Sequence, residues 1–165
     1  MERRKEEDRP RQDDIATGDE NWGKEDGTIR LAFQNVNGLG FDEGQIKLQR
    51  IFDFLHKYNI DKLGIAEVNI YWQKMDKDKR LWDKTRGWFE GLHVHTSYNT
   101  NEPTISKRYQ PGGVASFTKN KLAYKIMGKG IDMSNLGRWS WTTFQGKEGR
   151  VLRVITAYRP CNIGG

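Results

Sequence analysis

The sequence predicts an α/β (α+β) fold from three observations. An alternating strand pattern, an amphipathic helix and a second apolar strand succeed one another between residues 28 and 68, the order of a parallel crossover unit. From residue 91 onward, short apolar runs are divided by glycine-rich turns, as in antiparallel strands. The chain has 165 residues, enough for one hydrophobic core and too few for two.

In residues 28–36, Ile29, Leu31 and Phe33 alternate with Arg30, Ala32 and Gln34, the period of a strand. The turn dipeptide Asn37-Gly38 ends it. Over residues 43–59, Leu48, Ile51, Phe52, Leu55 and Tyr58 recur three and four apart, which predicts a helix with Asp42 and Glu43 at its favourable N-terminal end. Residues 61–68 are an apolar run of strand length with one acid, Glu67, near the end. Residues 71–88 are rich in Lys, Asp and Trp without a clean period and predict a loop with some helix. Strands follow over 91–97 and 112–118, around 124–127, and over 138–144 and 150–158. Turn signals at Gly128-Lys129-Gly130 and at residues 145–149 separate the later ones, so the C-terminal half predicts a mostly antiparallel β-meander.

Hydrophobic residues make up 35% and charged residues 30%, with a mean hydropathy of −0.87, on the polar side of globular proteins. Residues 1–27 hold ten acids and six bases and few apolar side chains, so they predict a disordered, acidic-leaning tail. The whole chain has 28 basic and 22 acidic residues, a charge of +6, which leaves residues 28–165 at +10. Such a basic domain attracts polyanions and favours nucleic acid as partner. No apolar run is long enough to cross a membrane and the N-terminus has no apolar leader core, so neither a membrane protein nor a secreted one is expected. Cys161 is the single cysteine, which excludes an internal disulfide framework and fits a reducing, intracellular setting, the nucleus included.

Several residues could carry chemistry. Asn35 and Asn37 put two amides at the end of the first strand, where a polar group can face a cleft; the same Asn-Gly pair is also an ordinary turn. Glu67 ends an apolar strand, so its carboxylate needs a cation or hydrogen bonds, and a hard divalent ion beside amides suits it. His93 and His95 share a strand face, but two imidazoles with no third ligand predict a surface strand and not a zinc site. Tyr158 and Arg159 end the last strand, and both groups bind phosphate well. Arg138 beside Trp139, and Trp72, Trp82 and Trp88 among Lys and Arg, suit contacts with nucleic acid or cover a sheet edge.

Taken in order, Asn35-Val36-Asn37-Gly38-Leu39, a helix, Leu63-Gly64-Ile65-Ala66-Glu67, Gly112-Gly113-Val114-Ala115, Gly137-Arg138 and Thr156-Ala157-Tyr158-Arg159-Pro160 resemble the first half of the endonuclease/exonuclease/phosphatase superfamily. The narrower resemblance is to the apurinic/apyrimidinic-endonuclease-like nucleases of non-LTR retrotransposons, over about residues 28–162. It implies the N-terminal portion of a four-layer α/β sandwich with mixed sheets, and a phosphodiester site at the top edge between the sheets. It also implies Glu67 as the principal Mg²⁺ (or Mn²⁺) ligand, Asn35 at the scissile phosphate or orienting the metal, Tyr158 hydrogen-bonded near the phosphate, and Asn37, Arg138 and Arg159 as substrate contacts. Asn37 matches the retroelement branch. Ala66, Asn69 and Cys161 depart from the family pattern.

The family's second half, with its Asp-x-Asn strand and closing Asp-His, has no counterpart in these 165 residues. The resemblance therefore implies a fragment of a Mg²⁺-dependent phosphodiesterase, a DNA endonuclease, that is inactive alone. A missing C-terminal half or a fused reverse transcriptase are the implied protein partners, and the basic domain favours DNA over RNA. Rival readings are a non-catalytic basic nucleic-acid-binding module, and a phosphatase or lipid phosphodiesterase of the same superfamily. Half a sandwich should also leave an apolar sheet face and open strand edges, with poor solubility or loose packing.

Overall fold

The computed structural model describes residues 23–40, 46–76, 80–100 and 109–159. Most of the tail, the acids Asp42 and Glu43, and Pro160 and Cys161 lie outside them. The elements run β1 (Leu31–Asn35), α1 (Ile46–Lys57), β2 (Lys62–Ala66), α2 (Leu81–Thr85), β3 (His93–Ser97), β4 (Val114–Thr118), α3 (Asn120–Ala123), β5 (Ile126–Ile131), β6 (Trp139–Gln145) and β7 (Val151–Ala157).

The strands form two sheets, β1-β2-β4-β3 and β5-β6-β7. β1 and β2 are parallel, from Leu31 opposite Lys62 to Asn35 opposite Ala66, as the crossover pattern requires. β4 runs antiparallel to both β2 and β3. The expected C-terminal meander is therefore confined to β5–β7, while β3 and β4 join the first sheet. Burial accounts for the division. Every residue of β2 and β4 is buried, because these central strands are covered on both faces, whereas β5 alternates between half-buried and exposed. Gly128-Lys129-Gly130, expected to be a turn, lies inside β5, where the two glycines make room for Trp141 of β6, and turn signals do not tell which strand becomes the neighbour. The short helix α3 was not expected from the sequence, since one turn is too short to show a period.

The first sheet has two different faces. Leu63 and Ile65 of β2, with Ala115 and Phe117 of β4, meet Leu48, Ile51 and Leu55 of α1 in the main core. Trp72, Met75 and Leu81 extend that core, and Trp88 stacks on Phe117, so two of the three tryptophans of the irregular segment pack inward; Trp82 remains exposed. On the other face, Lys62 and Gly64 of β2 meet the second sheet. A Cβ on Gly64 would lie 2.6 Å from Thr156 Oγ1, so the sheets approach as closely as they do only because this position has no side chain. Three layers result, with α1 outside the first sheet and no helix among the described residues on the outer face of the second.

The space between the sheets is polar for a core. Lys62 is almost wholly buried, with its ammonium 3.1 Å from Thr142 Oγ1, 3.4 Å from Thr118 Oγ1 and 5.5 Å from the centre of the Phe144 ring. No carboxylate among the described residues pairs with it, and burial pulls its pKa down to about 8. His93 and His95 lie here too, half-buried against β5, and not on a solvent-facing strand. His95 Nε2 is 3.1 Å from Gly130 O and His93 Nε2 is 3.4 Å from Lys129 Nζ. Burial, then the charges of Lys129, His95 and Lys62, lowers the pKa of His93 to about 4. Just before Lys62, at the N-terminal end of β2, buried Asp61 accepts from Arg30 N (2.7 Å) and Asn120 Nδ2 (3.1 Å) and is ion-paired with Lys24, so residue 24, placed by the sequence in the tail, is tied to the first sheet.

Two predictions follow from the unpaired cation and the neutral imidazole. Lys62→Met is expected to raise stability at pH 7 by about 1–3 kcal/mol, because it removes a buried charge that has no counterion. The wild-type amine loses its charge more readily folded than unfolded, so wild-type stability rises between pH 8 and 10.5 and the gain should shrink over that range. Urea melts of both proteins at pH 7 and pH 10 check this. His93 is held neutral, so its contribution is complete above pH 6.5 and is lost as the pH falls towards 4. His93→Gln should flatten the urea midpoint between those limits.

Candidate active site

The C-terminal ends of β1, β2, β3, β5 and β7 and the N-terminal ends of β4 and β6 meet at one end of the sandwich. Tight turns at each strand end compress this region. Positive backbone φ angles occur at Asn37 (43°), Gly38 (82°), Glu67 (54°), Asn69 (56°), Gly112 (88°), Gly113 (88°) and Gly137 (68°). For a glutamate that conformation is costly, of order 1–3 kcal/mol, and persists where the surroundings over-determine it.

Here they do. β2 ends at Ala66, one residue before Glu67, so Glu67 is not within the strand as the sequence suggested but on the turn that leaves it. Its carbonyl accepts from Gly38 N at 2.6 Å, while Ala66 O accepts from Val36 N at 3.0 Å and Val68 O from Leu39 N at 2.9 Å. The 36–39 segment is thus laced to 66–68, which puts the Asn35–Asn37 turn beside Glu67. Asn35 Oδ1 accepts from Asn37 N at 2.9 Å, the turn geometry that the Asn-Gly pair suggested. On the far side, Val68 N donates to Gly113 O (3.2 Å) and Asn69 N to Gly112 O (2.7 Å), and Asn69 Oδ1 accepts from Gly112 N (2.8 Å). Gly112 lies directly under the Tyr158 hydroxyl, where a Cβ would coincide with it.

The second sheet supplies the other wall. Tyr158 N donates to Arg138 O at 3.1 Å, which joins the end of β7 to the turn before β6. That turn is built around buried Asp132, whose carboxylate accepts from Ser134 Oγ (2.6 Å), Ser134 N (2.9 Å) and Arg138 N (3.0 Å). Burial raises the pKa of Asp132, but these hydrogen bonds and the Arg138 charge outweigh it and leave the group below the ordinary carboxylate value. Gly137 packs against the backbone of Tyr98 and Asn99, which seats the turn on the end of β3.

All six sequence candidates thus fall at this end: Asn35, Asn37 and Glu67 on the first sheet's turns, Arg138, Tyr158 and Arg159 on the second's. Asn35, Asn37, Arg138 and Arg159 are exposed, while Glu67 and Tyr158 are half-buried. The sequence reading noted Asn69 only as a departure from the family pattern and did not single out Asp132, yet these two side chains hold the walls in place. Asp132-Met133-Ser134 was the available signal, since an Asp two residues before a Ser is an Asx-turn pattern. Among the described residues no cluster of three or more His, Cys, Asp or Glu could hold a metal. The donor set that does fit a cation is the sparse one of a hard ion, in which a single carboxylate is supplemented by amide oxygens and water. Glu67 is a half-buried carboxylate whose side chain takes no hydrogen bond or ion pair from the described residues, and the Asn35 amide oxygen keeps a free lone pair after serving Asn37.

No family model matches the sequence, and no curated protein does either. Solved structures match. An AP endonuclease of Leishmania major superposes with a TM-score of 0.53 at 15% identity, over 79% of this chain and 40% of that one. An endonuclease/exonuclease/phosphatase family protein of Leptotrichia buccalis superposes with a TM-score of 0.55 at 15% identity, over 81% of this chain and 54% of that one. The fold is that of the endonuclease/exonuclease/phosphatase proteins. The chain spans about half the length, or less, of the structures it matches.

Gly112→Ala forces a side chain into a left-handed conformation and onto the Tyr158 hydroxyl, and is expected to cost about 2–4 kcal/mol. Tyr158→Phe in the same chain should recover the steric part of that loss and none of the backbone part. A double-mutant cycle of urea-unfolding free energies reads the difference.

Proposed function

We propose that this chain is the N-terminal part of a Mg²⁺- or Mn²⁺-dependent phosphodiesterase that acts on DNA, of the kind retroelements carry. The observation that supports it most is that Asn35, Glu67 and Tyr158 fall at one end of a sandwich of this fold, with the Glu67 carboxylate unpaired among the described residues. Glu67 is the metal ligand. Asn35 orients the metal or the scissile phosphate, and Tyr158 donates its hydroxyl to a phosphate oxygen. Asn37, Arg138 and Arg159, exposed around the rim, hold the flanking backbone, with guanidinium groups suited to phosphate. The cation, when bound, supplies Lewis-acid stabilisation of the charge that develops on the phosphoryl oxygens.

In-line attack on phosphorus also needs a base for the attacking water, and none of the six site residues is suited to that role. Further carboxylates from a second half of the sandwich would complete the site, so this chain alone is inactive. A fused reverse transcriptase fits the same origin, in an intracellular, nuclear setting. A second reading, a nucleic-acid-binding module without catalysis, is favoured by the +10 charge of residues 28–165. Phosphatase and lipid phosphodiesterase readings share the site but make less use of that charge.

Fluorescence anisotropy with a DNA duplex separates the two leading readings. Wild-type protein should bind in a salt-sensitive way, bind several-fold more tightly with Mg²⁺, lose that increment in Glu67→Gln, and leave the duplex uncut. Binding indifferent to both Mg²⁺ and Glu67→Gln belongs to the second reading. Mg²⁺-dependent cleavage that Glu67→Ala abolishes would show that the 165 residues are a complete enzyme.

A further inference from the structure

Lys47, in the first turn of α1, donates to three successive backbone carbonyls, Val36 O at 2.9 Å, Asn37 O at 3.0 Å and Gly38 O at 2.6 Å. An ammonium has three donors and no acceptor, so these contacts use its whole hydrogen-bonding capacity. Along a strand, successive carbonyls point to opposite sides. Here three converge on one point because Asn37 and Gly38 both have positive φ, 43° and 82°. Converging carbonyl dipoles repel one another unless a cation sits among them. The position is unfavourable for the helix, since a cation in the first turn opposes the macrodipole, and the three carbonyls supply the compensation.

The amide side of the same segment is already engaged. Val36 N, Gly38 N and Leu39 N donate to Ala66 O, Glu67 O and Val68 O, and Asn37 N donates to Asn35 Oδ1. Segment 36–39 is therefore held from two sides, by the Glu67 turn through its amides and by α1 through its carbonyls. We propose that Lys47 is a positioning residue of the candidate site: its ammonium fills a three-carbonyl cage, in the place of a monovalent cation, and so fixes the turn that carries Asn35 and Asn37 beside Glu67. The cage itself stands on these contacts; its service to metal and phosphate binding rests on the proposed function. Because all three donors face backbone, Lys47 does not hold a DNA phosphate, and it acts on the site only through the turn. Arginine cannot replace it, since a planar guanidinium spreads its donors and cannot gather them on one point.

Residue-resolved hydrogen exchange and DNA anisotropy on the 165-residue chain, with Lys47→Ala and Lys47→Arg, test this assignment. Lys47 is exposed and alanine favours helix, so the fold should survive. In Lys47→Ala the amides of Asn37, Gly38 and Leu39 should exchange about tenfold faster or more, with those of Leu63 and Ile65 in β2 unchanged. Ammonium chloride should restore much of that protection, whereas tetramethylammonium at equal ionic strength, too large for the cage, should not. Lys47→Arg should exchange as fast as Lys47→Ala. In anisotropy, the Mg²⁺ increment of DNA binding should fall several-fold in Lys47→Ala while the salt slope stays at its wild-type value, because no phosphate contact is lost. Unchanged exchange at residues 37–39, loosening that spreads equally to β2, rescue by arginine or by tetramethylammonium, or a shallower salt slope would overturn the proposal. A Mg²⁺ increment kept in Lys47→Ala would overturn the positioning role and leave the proposed function standing. A wild-type chain without that increment would sink the proposed function, and the exchange results would then decide the cage by themselves.

Discussion

Every layer of this protein is built outward from β2, and β2 can serve as the centre because Gly64 lets the two sheets touch at Thr156. Its odd-numbered residues, Leu63 and Ile65, supply the helix-side core, while Lys62 and Gly64 face the second sheet. With any larger side chain at 64, β7 would be held away from β2. The connection from Tyr158 to Gly112 and Arg138 would then lengthen, and the two walls of the candidate site would separate. The position of Glu67 follows from the same strand, since it is the first residue past the strand's end.

The polar interior is the counterpart of that close approach. A buried ammonium, two half-buried imidazoles and several hydroxyls occupy the space between the sheets, where apolar side chains would give more stability. Thr118 and Thr142 partly solvate Lys62, and the cost of its charge appears as a lowered pKa. Apolar Leu31 and Phe33 share this face, but they lie on β1 and are 46% and 55% exposed.

The site has a division of labour that the fold makes visible. Glu67, Asn35 and Tyr158 stand just at or past strand ends at this end of the sandwich, whereas Asn69 and Asp132 bind the backbone of neighbouring turns. Asn69 ties the Gly112-Gly113 segment to the end of β2, and Asp132 ties the Gly137-Arg138 turn to the end of β5. Conformational cost is concentrated there, in the left-handed Glu67 and in glycines set against neighbouring side chains and backbone.

Much of this was legible from the order of residues alone. The parallel pair β1–β2 with its helix, the turn at Asn37-Gly38, and the placing of Asn35, Glu67 and Tyr158 at strand ends all follow from local periodicity and turn chemistry, which act over a few neighbours along the chain. The membership of β3 and β4 in the first sheet was not legible, because pairing is decided by which faces become buried, and that depends on residues far apart in sequence. The histidines show the same limit: His93-Val94-His95 set two imidazoles on one face, but only the second sheet determined that this face is interior. Sequence by itself therefore determined the elements and the chemistry available at their ends. Tertiary structure alone decided which of those ends meet, because the energy that brings them together comes from burial between the layers and not from any local preference.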